Sequence, residues 1–60
     1  MNMEQTTLAT KELKRSRELE TYYRSRAEET NKVNIRDFYY AKHAEQKMFT
    51  DAIETLMRIL

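Results

Sequence analysis

Small and apolar residues in the first half of the chain recur at intervals of three and four. Counted at 100° per residue, they share one helical face about 120° wide: Ala9, Leu13, Ser16, Leu19, Tyr23 and Ala27. This spacing predicts an α-helix over residues 7–30 with Thr6 or Thr7 as its N-cap, because a strand would alternate every second residue. Residues 1–6 are expected to be disordered or frayed.

The second half of the chain predicts another helix, over residues 35–60. Its apolar face consists of Phe38, Ala41, Met48, Phe49, Ala52, Leu56 and Ile59. Ile53, Met57 and Leu60 widen that face to about 180° over residues 48–60. A stripe of this width is more than one neighbouring helix can cover.

The segment 31–34 carries the signals of a connection between the two helices. Asn34 is a good N-cap with Asp37 three residues later, and Val33 and Phe38 have the spacing of a hydrophobic staple. Asn31 can adopt the left-handed conformation that ends a helix. Together these residues predict a stop near residue 30 and a restart at residue 35.

The fold class that follows is all-α: a single domain, residues 1–60, folded as an antiparallel two-helix hairpin. The hairpin would place Leu13 near Ala52 and Tyr23 near Ala41. Because helix one offers little apolar surface opposite the end of helix two, the hairpin is predicted to dimerise into a four-helix bundle. The predicted self-association interface comprises Met48, Phe49, Ala52, Ile53, Leu56, Met57 and Leu60.

The composition supports this prediction. The 60 residues include no Gly, Pro or Cys, so disulfides and thiolate metal sites are excluded. A chain this short buries little core, and oligomerisation is one of the few ways left to stabilise it. With no apolar run of about 20 residues and no secretion signal at Met1–Glu4, we expect a cytoplasmic protein without membrane association. The charge-rich helical composition is similar to that of small bacterial and phage regulators, a likeness that carries over no residue.

Catalysis is not expected, because the chain lacks a nucleophile with a plausible base and a cleft to desolvate one. His43 is the only histidine, and its spacing predicts the outward face of helix two, beside Arg36, Tyr40 and Lys47. Either it is a general base or metal ligand, or it is a solvated or interface side chain. The cationic neighbours and the lack of a second imidazole favour the latter. No metal and no cofactor are predicted.

Glu45 interrupts the apolar face of helix two. One interpretation is that its side chain curls to the rim, near Lys42. The other is a buried polar layer with Ser16 or Tyr23 that fixes the register between helices. The rim interpretation is favoured.

Exposed aromatic and basic side chains are the candidates for contact with a partner: Lys11, Arg15, Tyr22, Arg26, Arg36, Tyr40, His43 and Lys47. Protein hot spots and single-strand nucleic-acid binders both use such residues. With 11 basic against 10 acidic residues and a net charge of +1, however, the chain lacks the basic excess that is typical of phosphate binders.

Three functions are therefore open. The first is a non-enzymatic interaction protein (an adaptor, regulator or inhibitor) that self-associates and binds a larger protein. The second is a small dimeric regulator that binds nucleic acid. The third is a purely structural oligomerisation element. Charge neutrality favours a protein partner over a nucleic acid.

Overall fold

Two antiparallel helices joined by a short connection make up the fold. The computed structural model describes residues 3–59, in which α1 spans Met3–Glu29 and α2 spans Val33–Ile59. The Cα atoms extend over 46 × 15 × 10 Å, as expected for two helices of about 40 Å lying side by side. The predicted all-α hairpin is confirmed.

The first helix begins earlier than predicted, at Met3 instead of residue 7. The threonine predicted as the N-cap therefore lies inside the helix. Thr7 Oγ1 donates to the Met3 carbonyl oxygen at 2.9 Å, and Thr10 Oγ1 donates to the Thr6 carbonyl oxygen at 2.8 Å. A hydroxyl with an acceptor four residues upstream is compatible with a helix interior. Of the segment predicted to be frayed, residues 1 and 2 lie outside the described part of the chain.

The second helix also begins earlier than predicted, at Val33, so Asn34 lies inside its first turn and is not the residue that precedes it. Val33 and Phe38 have exposed fractions of 65% and 55%. The two residues predicted as a hydrophobic staple therefore keep more than half of their surface in contact with solvent.

Thr30 takes the polar role in the connection that was predicted for the asparagines. Its Oγ1 accepts a hydrogen bond from the Lys32 amide at 3.3 Å, and the Lys32 carbonyl accepts one from the Arg36 amide at 2.9 Å. No residue between 3 and 59 has a positive φ angle, so the left-handed conformation predicted for Asn31 is wrong. A hydroxyl that binds the amide two residues later turns the chain without that conformation.

The interface between the helices follows a heptad pattern. The inward-facing residues follow one another at intervals of three and four, so that every second one is seven residues further on, as in a coiled coil. The half-buried or buried members on the first side are Ala9, Leu13, Ser16, Glu20, Tyr23 and Ala27 of α1 with Thr30 of the connection, and in α2 they are Arg36, Tyr39, His43, Gln46, Thr50, Ile53 and Met57. We call this surface the inner seam. Its central members are polar, which is unusual for coiled-coil positions.

The predicted face of α1 is confirmed and that of α2 is wrong. All six residues predicted to face inward from α1 are buried or half-buried, whereas the seven predicted for α2 are all exposed. The predicted register was close, since Tyr23 stacks beside Tyr39 and Ser16 meets Thr50. The difference is a rotation of α2 about its own axis that turns its polar residues inward.

Very little of the chain is fully buried. Among the described residues, Ala27, Ser16 and Thr50 have exposed fractions of 0%, 2% and 3%, and no large apolar side chain falls in that class. The hairpin therefore has a narrow seam whose most buried residues are small, with a polar centre, and no fully buried large apolar side chain among the described residues.

Candidate interaction surfaces

The apolar face of α2 points away from α1. We call it the outer stripe, and it consists of Phe38, Ala41, Glu45, Met48, Phe49, Ala52, Leu56 and Ile59, all exposed. Its large apolar side chains have exposed fractions between 53% and 74%. Glu45 is the one charged residue in the stripe. A contiguous apolar patch of this kind is typical of an interaction site.

An apolar groove runs beside the outer stripe, between the two helices at the end of the hairpin that holds the chain termini. It has a volume of about 500 Å³. α1 contributes Gln5, Ala9 and Glu12 to its walls, and α2 contributes Phe49, Ile53, Leu56 and Met57. The groove extends the apolar surface from α2 towards α1.

The residues predicted for self-association divide between two surfaces. Met48, Phe49, Ala52 and Leu56 lie on the outer stripe, while Ile53 and Met57 are half-buried at the terminal end of the inner seam. The predicted member at position 60 lies outside the described residues. The rotation of α2 thus leaves a stripe that continues along the helix to Phe38 and is not confined to its last turns.

A chain of hydrogen bonds in the inner seam holds α2 in this rotation. Gln46 Nε2 donates to Ser16 Oγ at 2.7 Å, Ser16 Oγ and Thr50 Oγ1 are 2.5 Å apart, and Thr50 Oγ1 donates to Glu20 Oε2 at 2.6 Å. Because each hydroxyl has one proton, Ser16 donates to Thr50 when Thr50 donates to Glu20. The proton donors therefore all point towards the carboxylate, which strengthens the last bond of the chain.

His43 belongs to the same seam, so the predicted outward position is wrong. Its Nδ1 lies 3.0 Å from the carbonyl oxygen of Glu20, and the side chain is half-buried. His43 and Thr50 are seven residues apart and point within about 20° of each other on a helix. The rotation that turns Thr50 inward therefore turns His43 inward as well.

Glu45 remains at the surface, as the rim interpretation predicts. Its side chain is 71% exposed and lies 3.7 Å from the Lys42 ammonium. Gln46, the next residue, takes the place in the polar layer with Ser16 that the alternative interpretation gave to Glu45.

Four aromatic rings form a continuous row at the connection end. Tyr22 meets Tyr23 edge to face at 5.6 Å, Tyr23 lies 6.4 Å from Tyr39, and Tyr39 lies 5.3 Å from Phe38. Cations cover both α2 rings: Arg26 is 5.7 Å from the Tyr39 centroid, and Lys42 is 5.6 Å from that of Phe38. These contacts join the two helices at one end by ring stacking and cation–π attraction.

The first predicted basic set remains on the surface. Lys11, Arg15 and Tyr22 are exposed, but Arg26 is engaged with Tyr39 and lies 3.7 Å from Glu29. A hydrogen bond with Tyr39, followed by the nearby Tyr39 charge, raises the pKa of Arg26 above its already high ordinary value. The guanidinium therefore stays charged, with Tyr39 and Glu29 as its neighbours.

The second predicted basic set is divided. Tyr40 and Lys47 are exposed, whereas Arg36 is half-buried and reaches the Thr30 carbonyl oxygen at 3.5 Å. With His43 in the inner seam, only two of the four predicted members lie together on the surface. The structure thus offers less continuous basic surface than the sequence predicts.

The described residues show neither a metal-binding cluster nor a membrane-spanning helix. Within residues 3–59, no group of three or more His, Asp or Glu side chains is placed to hold a metal ion. Neither α1 nor α2 contains a stretch apolar and long enough to cross a bilayer.

No family model matches the chain, and no similar protein was found among curated proteins or solved structures.

Proposed function

We propose that this chain is a small non-enzymatic interaction protein that self-associates into a four-helix bundle and binds a larger protein. The observation that carries the proposal is the exposure of the whole outer stripe while polar side chains occupy the centre of the inner seam. Apolar surface that the hairpin itself does not use is available for association.

The energetics of the hairpin support self-association. Burial of apolar area is the main favourable contribution to folding, and the seam supplies little of it, since its three fully buried residues are an alanine, a serine and a threonine. A second hairpin packed on the outer stripe would supply the missing burial. Four-helix bundles build their cores from such inward-facing stripes.

Sedimentation equilibrium over a range of micromolar concentrations tests self-association. We expect the wild-type chain to reach twice the 7.3 kDa mass of one copy. Leu56→Glu should weaken association by about 100-fold or more, because each dimer would bury two unpaired carboxylates. Ala44→Glu is the matched control, since Ala44 is an exposed residue of α2 outside the outer stripe.

A strictly monomeric wild-type chain with a cooperative thermal unfolding transition would contradict the proposal. Equal weakening by the Leu56→Glu and Ala44→Glu variants would also count against it, because a general charge effect would then explain the loss. Circular dichroism of each variant establishes that the helices still form.

Binding of a larger protein is proposed for the exposed aromatic surface. Tyr22 and Tyr40 have exposed fractions of 52% and 42%, and tyrosine is enriched in binding hot spots. A tagged wild-type chain incubated with host lysate should retain a stoichiometric protein that the Tyr22→Ala/Tyr40→Ala variant loses. If the variant keeps full biological activity, a purely structural oligomerisation element becomes the better description.

A further inference from the structure

We infer that the occupant of the outer stripe is a second copy of the chain whose α2 runs antiparallel to the first, with the two-fold axis midway between Met48 and Phe49. This inference rests on the self-association proposed above. It adds which face is covered, in which direction the second copy runs and which residues meet.

The spacing of the outer stripe is the same when read from either end. Its members, from Phe38 to Ile59, follow one another at intervals of three, four, three, one, three, four and three residues. A two-fold interface brings the same surface of both copies together, so each position needs an equivalent on the other side of the axis. A stripe with symmetric spacing meets this requirement in an antiparallel pair.

Two of the four kinds of paired position also complement one another in size, while Phe38–Ile59 and Met48–Phe49 pair large apolar side chains. Antiparallel pairing about the midpoint places Ala41 opposite Leu56, and Glu45 opposite Ala52. A small residue opposite a large one lets two helices interdigitate. The methylene groups of Glu45 can cover the small Ala52 while the carboxylate stays near Lys42, from which it lies 3.7 Å in the free hairpin.

Charge favours the antiparallel direction over the parallel one. A parallel pair about a two-fold axis would bring Glu45 against its own copy and Lys42 against its own copy, and like charges repel. The charged residues later in α2 do not interfere with the antiparallel pair: Glu54, for example, is half-buried on the opposite side and bonds Arg17 across the seam at 2.6 Å.

One register covers the stripe along its whole length. The stripe from Phe38 to Ile59 spans 22 residues, or about 33 Å of helix, and a pair centred on its midpoint covers all eight of its members. Pairing about the midpoint overlaps residues 38–59 of both copies. A register shifted towards either terminus would leave part of the stripe uncovered.

Disulfide cross-linking tests the arrangement, since the chain contains no cysteine of its own. Glu45→Cys and Ala52→Cys variants, one carrying a mass tag, are mixed, oxidised mildly and analysed by mass spectrometry without reduction. We expect the mixed disulfide to exceed either self-disulfide by about tenfold, because the two positions face each other and a disulfide needs Cα atoms within about 7 Å. Lys47→Cys with Asp51→Cys, exposed positions outside the stripe, is the control pair.

Each outcome gives a clear answer. A predominant self-disulfide of Glu45→Cys would indicate parallel pairing and overturn the inference, as would equal cross-linking by the control pair, which indicates unspecific contact. If the chain sediments as a dimer but the mixed disulfide does not exceed the self-disulfides, the arrangement is wrong and the proposed function stands. A chain that stays monomeric overturns both.

A spin-label distance provides a second measurement that needs no oxidation. Labels on an Ala41→Cys variant should be about 22 Å apart along the helices in the antiparallel pair, because fifteen residues separate position 41 from its equivalent at 56. Parallel pairing would bring the labels to about 10 Å, the distance between packed helices. A distance distribution centred near 10 Å would overturn the inference.

Discussion

The two long faces of α2 differ in polarity, and the polar face is the inner one, which is the reverse of most helices in globular proteins. The face that packs against α1 presents Gln46, Thr50 and His43, whereas the face in contact with solvent presents Phe49 and Leu56. In a typical surface helix the apolar side faces inward and the polar side faces water. The contrast indicates that specific hydrogen bonds set the rotation within one hairpin, while the apolar area stays exposed and, under the proposed function, is available for contacts between molecules.

The inner seam and the outer stripe therefore have different tasks. A network of polar side chains determines which residues meet but adds little net free energy, because the same groups bind water when the chain is unfolded. Apolar area adds more free energy per residue but specifies geometry less strictly. Substitutions that affect one surface and spare the other can separate the two contributions.

Thr50→Val should have the largest effect on the stability of the hairpin. Valine keeps the shape of threonine but leaves Ser16 and the Glu20 carboxylate without their partner, which should cost about 2 kcal/mol of unfolding free energy. Urea unfolding followed by circular dichroism at a fixed chain concentration measures the loss.

The chain offers a close control for this variant. Thr55 lies on the same helix and donates to the carbonyl oxygen four residues before it at 2.8 Å, but it is exposed and has no hydrogen-bond partner on α1 within the described part of the chain. Thr55→Val should change stability by less than about 0.5 kcal/mol. Equal losses in the two variants would mean that the seam network does not stabilise the hairpin.

Glu45→Leu should affect the outer stripe and leave the seam unchanged. Removing the charge from the middle of the stripe should tighten self-association by about tenfold, equivalent to about 1.4 kcal/mol. Sedimentation equilibrium of the variant beside the wild type measures the change. Weaker association, or a different oligomeric state, would show that the Glu45 carboxylate has a specific partner in the complex.

Arg17→Met should have the smallest effect. The ion pair with Glu54 is short, at 2.6 Å, but the Arg17 side chain is 60% exposed, and exposed pairs contribute about 0–1 kcal/mol. Urea unfolding at low and at high salt should give nearly the same small difference from the wild type. A loss above 1 kcal/mol would place this pair among the interactions that set the rotation of α2.

The same comparison explains how far the sequence predicts the fold. Helix one could be oriented because small and apolar residues such as Leu13 and Ala27 mark its inward face. Helix two could not be oriented in the same way, because its central inward positions are polar. The hydrogen bonds that Thr50 and Gln46 make there are apparent only once Ser16 and Glu20 are known to lie opposite. An apolar pattern alone selects the outer stripe as the core.

One signal in the sequence does point to the inward face of α2. Arg36, His43, Thr50 and Met57 are spaced seven apart, and so are Ala9, Ser16 and Tyr23 in α1. Matching heptads in two successive helices are compatible with a seam even when several of their members are polar. The exposed apolar surface was predictable as an apolar excess, but its position around the axis of α2 depends on this rotation.

The three-residue connection between the helices has a consequence for the order of events during folding. A loop this short closes in well under a microsecond, and small helical chains fold in microseconds to milliseconds. Encounters between chains at micromolar concentration take about 0.1–10 s at ordinary association rates. A refolding trace should therefore have a fast phase that is independent of concentration, in which the two helices of one chain meet, and a slow phase whose rate rises with concentration, in which association stabilises them.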